Sequence, residues 1–265
     1  MAALQNFLLR SLPRKDYLNL ARGLTPVTLV FGDVLYEPDR AIREVYFPSA
    51  CLVSLLTIAE GHRALEVGMV GPEGMLGVPL ALGVAESPVR ALVQGGGPAL
   101  RMSKARFLAA LRAIPSLQPA VFAYIYALMG QIAQTAACNR FHVVEARLAR
   151  WLLMTRDRMS AGEFRMTHEF LSHMLGVRRE GVSEAAAGFQ QQHLIEYSRG
   201  KIRILDHRGL EAAACACYKH SGKQSGHIPR WRPAGNQAAV PPTTCKVSTR
   251  GRSDIRRSNS TLTTP

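Results

Sequence analysis

The chain has 265 residues, of which 47% are hydrophobic and 20% charged, so it can build a sizeable core and its length predicts about two domains. The formal net charge is +14, but the last 47 residues, 219–265, hold nine Lys or Arg against one Asp, which leaves only +6 for residues 1–218. The five cysteines are odd in number and scattered, which argues against a disulfide framework. No apolar run reaches the roughly 18–20 residues of a membrane span, and the N-terminus lacks the pattern of a signal peptide. We therefore expect a cytoplasmic protein without a membrane partner.

The first 115 residues predict a short helix followed by an all-β unit. Residues 4–22 place Leu4, Leu8, Leu12 and Leu20 among polar positions, as an amphipathic helix does. From Thr25 to Ser103, short apolar runs alternate with Gly, Pro and Asp, which is typical of a compact β-barrel or sandwich.

After Pro115 the apolar period becomes helical. The spacing of Val121, Ile125, Leu128 and Ile132 is 4-3-4, the pattern of a coiled-coil seam, so residues 116–139 predict a dimerisation helix. The alternative is a helix packed on its own β domain, because the seam covers only about two heptads. A bend is expected at 139–141, and a second helix follows to about residue 160.

Residues 167–192 predict two short helices joined by a tight turn. Thr167 is a suitable N-cap, Gly176 a suitable left-handed helix end, and the second helix runs from Arg178 to about Gln192. Its apolar stripe comprises Val182, Ala185, Ala186 and Phe189. This is the pattern of a helix-turn-helix, in which side chains near the start of the second helix reach base edges in the major groove. The residues expected to contact bases are Arg178, Arg179, Glu180, Ser183 and Glu184.

A basic hairpin follows the two helices. Arg199-Gly200 separates two short alternating runs, which predicts a β-hairpin, and the neighbouring Lys201 and Arg203 make it basic. A winged helix-turn-helix sets such a hairpin against the phosphate backbone. The residues expected to contact phosphates are Thr167, His168, Arg199 and Lys201. The alternative is a plain packing module whose charges are merely solvated.

Three further features bound the function. Residues 219–265 lack apolar periodicity and predict disorder, either as a basic arm for DNA or as a tail without a role. Cys215-x-Cys217 could bind a metal or respond to oxidation, but two small residues at a helix end are the simpler interpretation, and we predict no metal site. No nucleophile–base pair or phosphate-cradling loop with a following Lys is present, so we expect no catalytic residues.

The chain resembles the Crp/Fnr family of transcription regulators over residues 1–218. The similarity rests on EVYFPSACLVSLLT, the Gly-rich VGMVGPEGMLGVPLALG, VEARLARWLL, and the more specific LSHMLGVRREGVSEAAAGFQQQHLIEYSRGKIRILD. The resemblance implies the α+β class: an N-terminal antiparallel β-roll of the cyclic-nucleotide-binding type (1–115), a long dimerisation helix (116–139) and a winged helix-turn-helix (140–218). It also implies a homodimer on double-stranded DNA with two-fold symmetry, and RNA polymerase as a partner. Arg179 and Glu180 match the family's base-contacting pair, whereas Glu184 stands where cyclic-AMP-type members carry a second Arg.

The effector pocket departs from the cyclic-AMP pattern. The resemblance places it at Gly77, Val78 and Arg90, but Val78 replaces the acid that holds the ribose, and Ala85-Glu86 stands where an Arg-Ser pair grips the phosphate. We therefore expect no response to cyclic AMP and name no cofactor. The sequence predicts a DNA-binding transcription regulator; the alternative is a small-molecule sensor that acts through protein partners without specific DNA binding.

Overall fold

The computed structural model describes residues 6–58, 64–159 and 163–219. It confirms the predicted α+β class, with an antiparallel β-roll, a long helix and a winged helix-turn-helix in that order along the chain. In the first half lie α1 (Phe7–Arg10), α2 (Arg14–Ala21), β1 (Thr25–Leu29), β2 (Val34–Tyr36), β3 (Glu44–Pro48), β4 (Leu52–Ile58), β5 (Ala64–Val70), a 3-10 helix (Val78–Leu82), β6 (Arg90–Gly95), β7 (Gly97–Ser103) and α3 (Lys104–Ala113). In the second half lie α4 (Leu117–Phe141), α5 (Val144–Arg158), β8 (Glu163–Arg165), α6 (His168–Leu175), α7 (Arg179–Gln191), β9 (Ile195–Ser198), β10 (Lys201–Ile204) and α8 (His207–Ala213).

The β-roll is built from two antiparallel sheets, with strand orders β1-β7-β3 and β2-β6-β4-β5. Its core is formed by side chains that alternate along the strands, and Val45, Phe47, Val53 and Val93 are all 0% exposed. This alternation is what the short apolar runs of the sequence predict, because successive side chains of a strand point to opposite faces.

The N-terminal helix predicted over 4–22 is divided in two at Pro13. Proline donates no backbone N–H and disfavours helical backbone at the residue before it, so α1 ends and α2 starts afresh. The buried amide of Asn6 ties α1 to the roll, since its Nδ2 donates to the carbonyls of Pro48 at 2.8 Å and Gly74 at 2.7 Å. Leu4 lies outside the described residues.

The long helix α4 packs one face on the β-roll. Val121 is 0% exposed and Leu128 6% exposed, both in the core of the roll, and Ile125 and Ile132 pack against that core. Val121 and Leu128 therefore cannot bury further surface against a second chain, which corrects the predicted dimer seam at these positions. The alternative of a helix packed on its own β domain is correct for this face.

By length and composition, α4 is the one helix among the described residues that could cross a membrane, with a mean hydropathy of 1.2 over its most apolar 18 residues. A core helix of a soluble protein passes the same test. Because one face of α4 is buried against the β-roll, its apolar composition is accounted for by packing on that side.

The helix-turn-helix unit docks directly on the outer face of β4 and β5. Leu52, Leu56 and Met69 point away from the roll core and join a second apolar cluster with α5, α6 and α7. As a result β4 is buried on both faces over Leu52–Leu56.

The predicted bend between the two long helices lies at His142–Val143, slightly later than expected from the sequence.

Polar groups are buried in this contact between the roll and α5. The carboxyl of Glu66 accepts hydrogen bonds from the Ser54 hydroxyl at 2.6 Å and from the Trp151 indole Nε1 at 2.9 Å. Burial raises the pKa of Glu66 to about 7, against the opposing effect of these two bonds. Nearby, Glu73 and Arg158 form an ion pair at 2.7 Å with side chains that are 8% and 4% exposed.

Candidate DNA-binding face and effector cavity

The turn between α6 and α7 has the local structure that its sequence predicts. The hydroxyl of Thr167 accepts a hydrogen bond from the Phe170 N–H at 3.1 Å and caps α6. Gly176 ends α6 with φ 62° and ψ 40°, a left-handed conformation that favours glycine. The backbone N–H of Val177 then donates to the carbonyl of Ser172 at 3.0 Å, which closes the turn. The guanidinium of Arg147, from α5, donates to the carbonyl of Leu175 and so holds the end of α6.

The second helix buries one face and exposes the other. Its predicted stripe is confirmed: Val182, Ala185, Ala186 and Phe189 are at most 3% exposed. The helix starts at Arg179, with Arg178 as its N-cap. Arg178, Arg179, Glu180 and Glu184 are exposed on the opposite side. Within the described part of the chain, neither Arg178 nor Arg179 forms an ion pair, so both guanidinium groups face solvent at the N-terminal end of α7.

Ser183 and His168 differ from the other predicted contact residues because they bond to each other. The hydroxyl of Ser183 donates to the carbonyl of Arg179 at 3.1 Å and lies 2.9 Å from Nδ1 of His168. The ring of His168 stacks on Tyr197 with centroids 4.3 Å apart, and its Nε2 is buried. Burial lowers the pKa of His168, and the charge of Arg179 lowers it further. This corrects the prediction that His168 contacts phosphate: neither ring nitrogen faces outward, and the ring instead fixes α6 against α7 and the hairpin.

The predicted wing is present as a three-stranded sheet of order β8-β10-β9. Arg199 and Gly200 form its tight turn with φ values of 48° and 74°, as a two-residue hairpin loop with left-handed positions requires. Lys201 pairs with Glu163 at 2.9 Å, although both side chains remain about half exposed. Arg199 is exposed at the tip and, in the part of the chain that the structure describes, makes no ion pair.

Sequence reasoning missed β8 and the basic residue it carries. Arg165 lies opposite Lys201 in the sheet and is exposed, which adds a cation to the wing. The strand has only three residues, too few to show an alternating pattern. The tip of the wing lies close to the start of α6, since a Cβ added to Gly200 would be 3.7 Å from the Thr167 methyl group. The charge of Arg179 acts on the neighbouring His168, so the start of α7 also lies near this end of α6.

The β-roll contains a cavity of about 120 Å³ against α4, at the predicted effector position. Gly77 and Val78 line it, as predicted, but Arg90 does not: its Nε pairs with Glu37 at 2.9 Å. The lining is apolar apart from two hydroxyl groups. Tyr36 donates its hydroxyl to the Glu44 carbonyl and Ser87 to the Val89 carbonyl, both at 2.7 Å.

Comparison with known proteins shows which domain and which folds these features resemble. Residues 146–213 match the Crp-like helix-turn-helix domain. No curated protein sequence matches the chain at a significant level. Among solved structures, FixK2 from Bradyrhizobium japonicum is similar with a TM-score of 0.62 and 15% identity, over 73% of this chain and 98% of that one. The c-di-GMP-responsive global regulator CLP of Xanthomonas campestris is similar with a TM-score of 0.60 and 14% identity, over 73% and 100% of the two chains. A CRP-family transcriptional regulator from Thermus thermophilus gives a TM-score of 0.57 and 19% identity, over 71% and 96%.

At these identities the solved structures establish the fold, and the matched domain establishes the type of helix-turn-helix. Together with the capped α6, the exposed start of α7 and the basic wing, they show that residues 146–213 form a Crp-like helix-turn-helix domain in a chain that shares the fold of these transcription regulators.

Proposed function

We propose that this chain is a homodimeric regulator that binds a two-fold-symmetric DNA sequence and does not respond to cyclic AMP. We divide it into a sensor domain (1–115), a dimerisation helix (116–139), a DNA-binding domain (140–218) and a tail (219–265) that lies almost wholly outside the described residues. RNA polymerase as a partner and the cytoplasm as its location follow from a regulator's role.

The observation that carries the proposal is the exposed N-terminal end of α7. A helix that enters the major groove must bury one face on its own domain and present polar side chains near its start. Val182 and Phe189 hold the buried face, while Arg179 and Glu180 are exposed at the other. Arg can bond guanine O6 and N7 together, and Glu can accept from the cytosine amino group. Arg199 at the wing tip is suited to a phosphate.

Fluorescence anisotropy with a bound promoter fragment and a random duplex tests the reading role. We expect Arg179→Ala to weaken specific binding by about 1–3 kcal/mol and random-duplex binding much less. Arg112→Ala removes an exposed Arg on α3 and is the matched control, which should bind like the wild type. Equal affinity of Arg179→Ala and wild type for both duplexes would refute the role of Arg179.

The dimer proposal is supported by the face of α4 that the β-roll leaves open. Tyr126 is 70% and Met129 64% exposed. Together with Phe122, Ala133 and Ala136 they repeat the 4-3-4-3 spacing of a coiled-coil seam, one residue after the seam predicted from the sequence. Two copies of this face, packed about a two-fold axis, would cover both large side chains. The same axis would place two copies of α7 on successive half-sites of DNA.

Sedimentation or light scattering over a concentration series tests this face. Met129→Glu places two like charges near the proposed axis, so we expect a monomer at concentrations where the wild type is a dimer. Leu18→Glu changes an apolar residue that is 53% exposed on α2 and should leave the dimer intact. A Met129→Glu dimer as tight as the wild type would exclude this interface.

The insensitivity to cyclic AMP is supported by the lining of the cavity. A cyclic phosphate carries a negative charge and requires a cation or several free hydrogen-bond donors. Among the residues that the structure describes, no Lys or Arg lines the cavity, and the hydroxyls of Tyr36 and Ser87 already donate to backbone carbonyls. Calorimetric titration with cyclic AMP should therefore give no heat of binding, and a micromolar affinity would contradict this part of the proposal.

The cavity also supports a second candidate function, that of a small-molecule sensor acting through protein partners. This candidate predicts weak binding to every DNA sequence, governed by salt alone. A salt titration on specific and random duplexes separates the two, because a reader of sequence keeps its preference at each salt concentration. The exposed arginines at the start of α7 favour the DNA-binding role.

A further inference from the structure

Four possible metal ligands from distant parts of the sequence meet where α4 ends: Cys138, His142, Cys215 and Cys217. Cys138 lies in the last turn of α4 and His142 directly follows the helix, so both face the same side one turn apart. The two other cysteines lie on the segment just after α8. The sequence indicates that Cys215-x-Cys217 could bind a metal but does not join it to Cys138 and His142, because the two halves of the cluster are more than 70 residues apart.

The distances within the cluster fit a tetrahedral metal ion. The Sγ atoms of Cys138 and Cys215 are 3.5 Å apart, and the Sγ of Cys217 is 3.6 Å from Nδ1 of His142. All four ligand atoms lie within 4.8 Å of one another. Zinc bonds of about 2.3 Å to sulfur and about 2.0–2.1 Å to nitrogen imply ligand–ligand distances of about 3.6–3.8 Å in a tetrahedron. Binding would therefore need shifts of about 1 Å or less.

The surroundings supply positive charge that would offset a metal-bound set of thiolates. The side chains of Arg147 and Arg150 are buried beside the cluster, with the whole residues 8% and 7% exposed. The charge of Arg147 acts on Cys138 and Cys215, and that of Arg150 on Cys138. The Gln134 side chain donates from Nε2 to the Sγ of Cys217 at 2.9 Å, the kind of outer hydrogen bond that orients a ligating sulfur. Three thiolates and one divalent ion leave a single negative charge, which these two cations offset.

From this arrangement we propose that Cys138, His142, Cys215 and Cys217 form a Cys₃His site for a zinc-class divalent ion. Three sulfurs and one imidazole nitrogen are a donor set that selects Zn²⁺ over the oxygen-seeking Mg²⁺ and Ca²⁺. Cys138 and Cys217 are 1% and 3% exposed, and His142 is the most accessible of the four ligands. The ion would therefore reach the buried sulfur atoms from the side of His142. No open position remains for substrate, so the site is structural.

The ion would join the end of the long helix to the end of the DNA-binding domain. Cys138 lies in α4, His142 is the first residue of the bend at His142–Val143, and the other two ligands follow α8. One metal therefore spans both sides of the bend and restricts the angle between α4 and the domain that carries α7. Occupancy of the site would then couple metal supply to the orientation of the DNA-binding face.

Metal analysis and cobalt substitution of the purified full-length chain without an affinity tag test the site. We expect about one zinc per chain, and Co²⁺ added to the metal-free protein should give the intense visible bands of tetrahedral thiolate coordination, which Zn²⁺ then abolishes. Cys138→Ser and Cys217→Ser should lose these bands. Cys51→Ala and Cys245→Ser are the controls and should keep them, since Cys51 is buried in the β-roll and Cys245 lies outside the described residues.

A variant that leaves all four ligands in place covers the case in which a cysteine variant does not fold. Gln134→Leu removes only the outer hydrogen bond and should weaken Zn²⁺ affinity about 10-fold. An absence of tetrahedral Co²⁺ bands in the folded wild type would overturn the proposal, as would unchanged bands in both cysteine variants. A Cys138–Cys215 disulfide with no metal uptake after its reduction would also overturn it.

Discussion

The buried carboxyl of Glu66 should make the stability of this protein fall as pH rises through the slightly acidic range. Burial raises the pKa of Glu66 from 4.5 to about 7 in the folded chain. Between these values the folded state keeps the proton while the unfolded state has lost it, so folding takes up a proton and the free energy of unfolding declines with pH. The contribution is complete below pH 4.5 and is lost as pH rises through about 7.

The size of the effect follows from the same two values. A difference of 2–3 pKa units at about 1.4 kcal/mol each gives about 3 kcal/mol between pH 4.5 and neutral pH. Glu66→Gln removes the titration but keeps a side-chain oxygen that can accept the Trp151 N–H bond. Its stability should therefore exceed that of the wild type at pH 8 and approach it at pH 5.

Urea denaturation at half-unit steps from pH 5 to pH 8 measures this difference. Glu86→Gln removes an exposed carboxylate from the same domain and should keep the wild-type slope. Parallel stability curves for Glu66→Gln and the wild type across this range would refute the assignment of a neutral Glu66 to the folded state.

Two further predictions concern stability and are measured by urea denaturation at pH 7. Glu73→Gln removes a buried counter-charge and should cost about 3 kcal/mol, whereas Glu37→Gln at an exposed ion pair should cost less than about 1 kcal/mol; equal costs would contradict the buried pair. Gly176→Ala should cost about 1–2 kcal/mol, because φ is 62° and the new Cβ would lie 2.6 Å from a methyl of Leu65. Gly188→Ala, in the last turn of α7, adds a Cβ that meets nothing within 4 Å and should be neutral or stabilising, and a cost there as large as at Gly176 would refute the role of backbone conformation.

Local patterns explain why the helix-turn-helix could be predicted closely. Thr167, Gly176 and the Val182–Phe189 stripe each act through neighbours within one or two helical turns. Such signals are contained in a short stretch of sequence, and the structure reproduces the predicted helix bounds to within one residue. The α+β class was predictable for the same reason, because the apolar period changes near residue 115.

The register of α4 could not be predicted because two faces of the helix carry the same spacing. Val121 and Leu128 belong to one 4-3-4 series, and Tyr126 and Met129 belong to the next one along. Which series is covered depends on where the β-roll lies, and that is a long-range property. Sequence reasoning chose the more aliphatic series, which the roll itself covers.

Polar residues were harder to interpret for a similar reason. Ser54 and Glu66 look like surface positions of their strands, yet the docked α5 buries both. His168 has the exposed position of a phosphate contact in sequence, but its ring is held between Ser183 and Tyr197. In each case the hydrogen-bonding or stacking partner comes from an element at least 12 residues away, so no short sequence motif predicts the contact.

Selection of bound sequences from a random duplex library tests the central claim most directly. A dimer that reads DNA through α7 should enrich a two-fold-symmetric motif whose half-site centres lie about one helical turn, or 10–10.5 base pairs, apart. Arg179→Ala should relax the preference at one position in each half-site. Enrichment of no motif, or of one without symmetry, would contradict a dimeric, sequence-reading regulator.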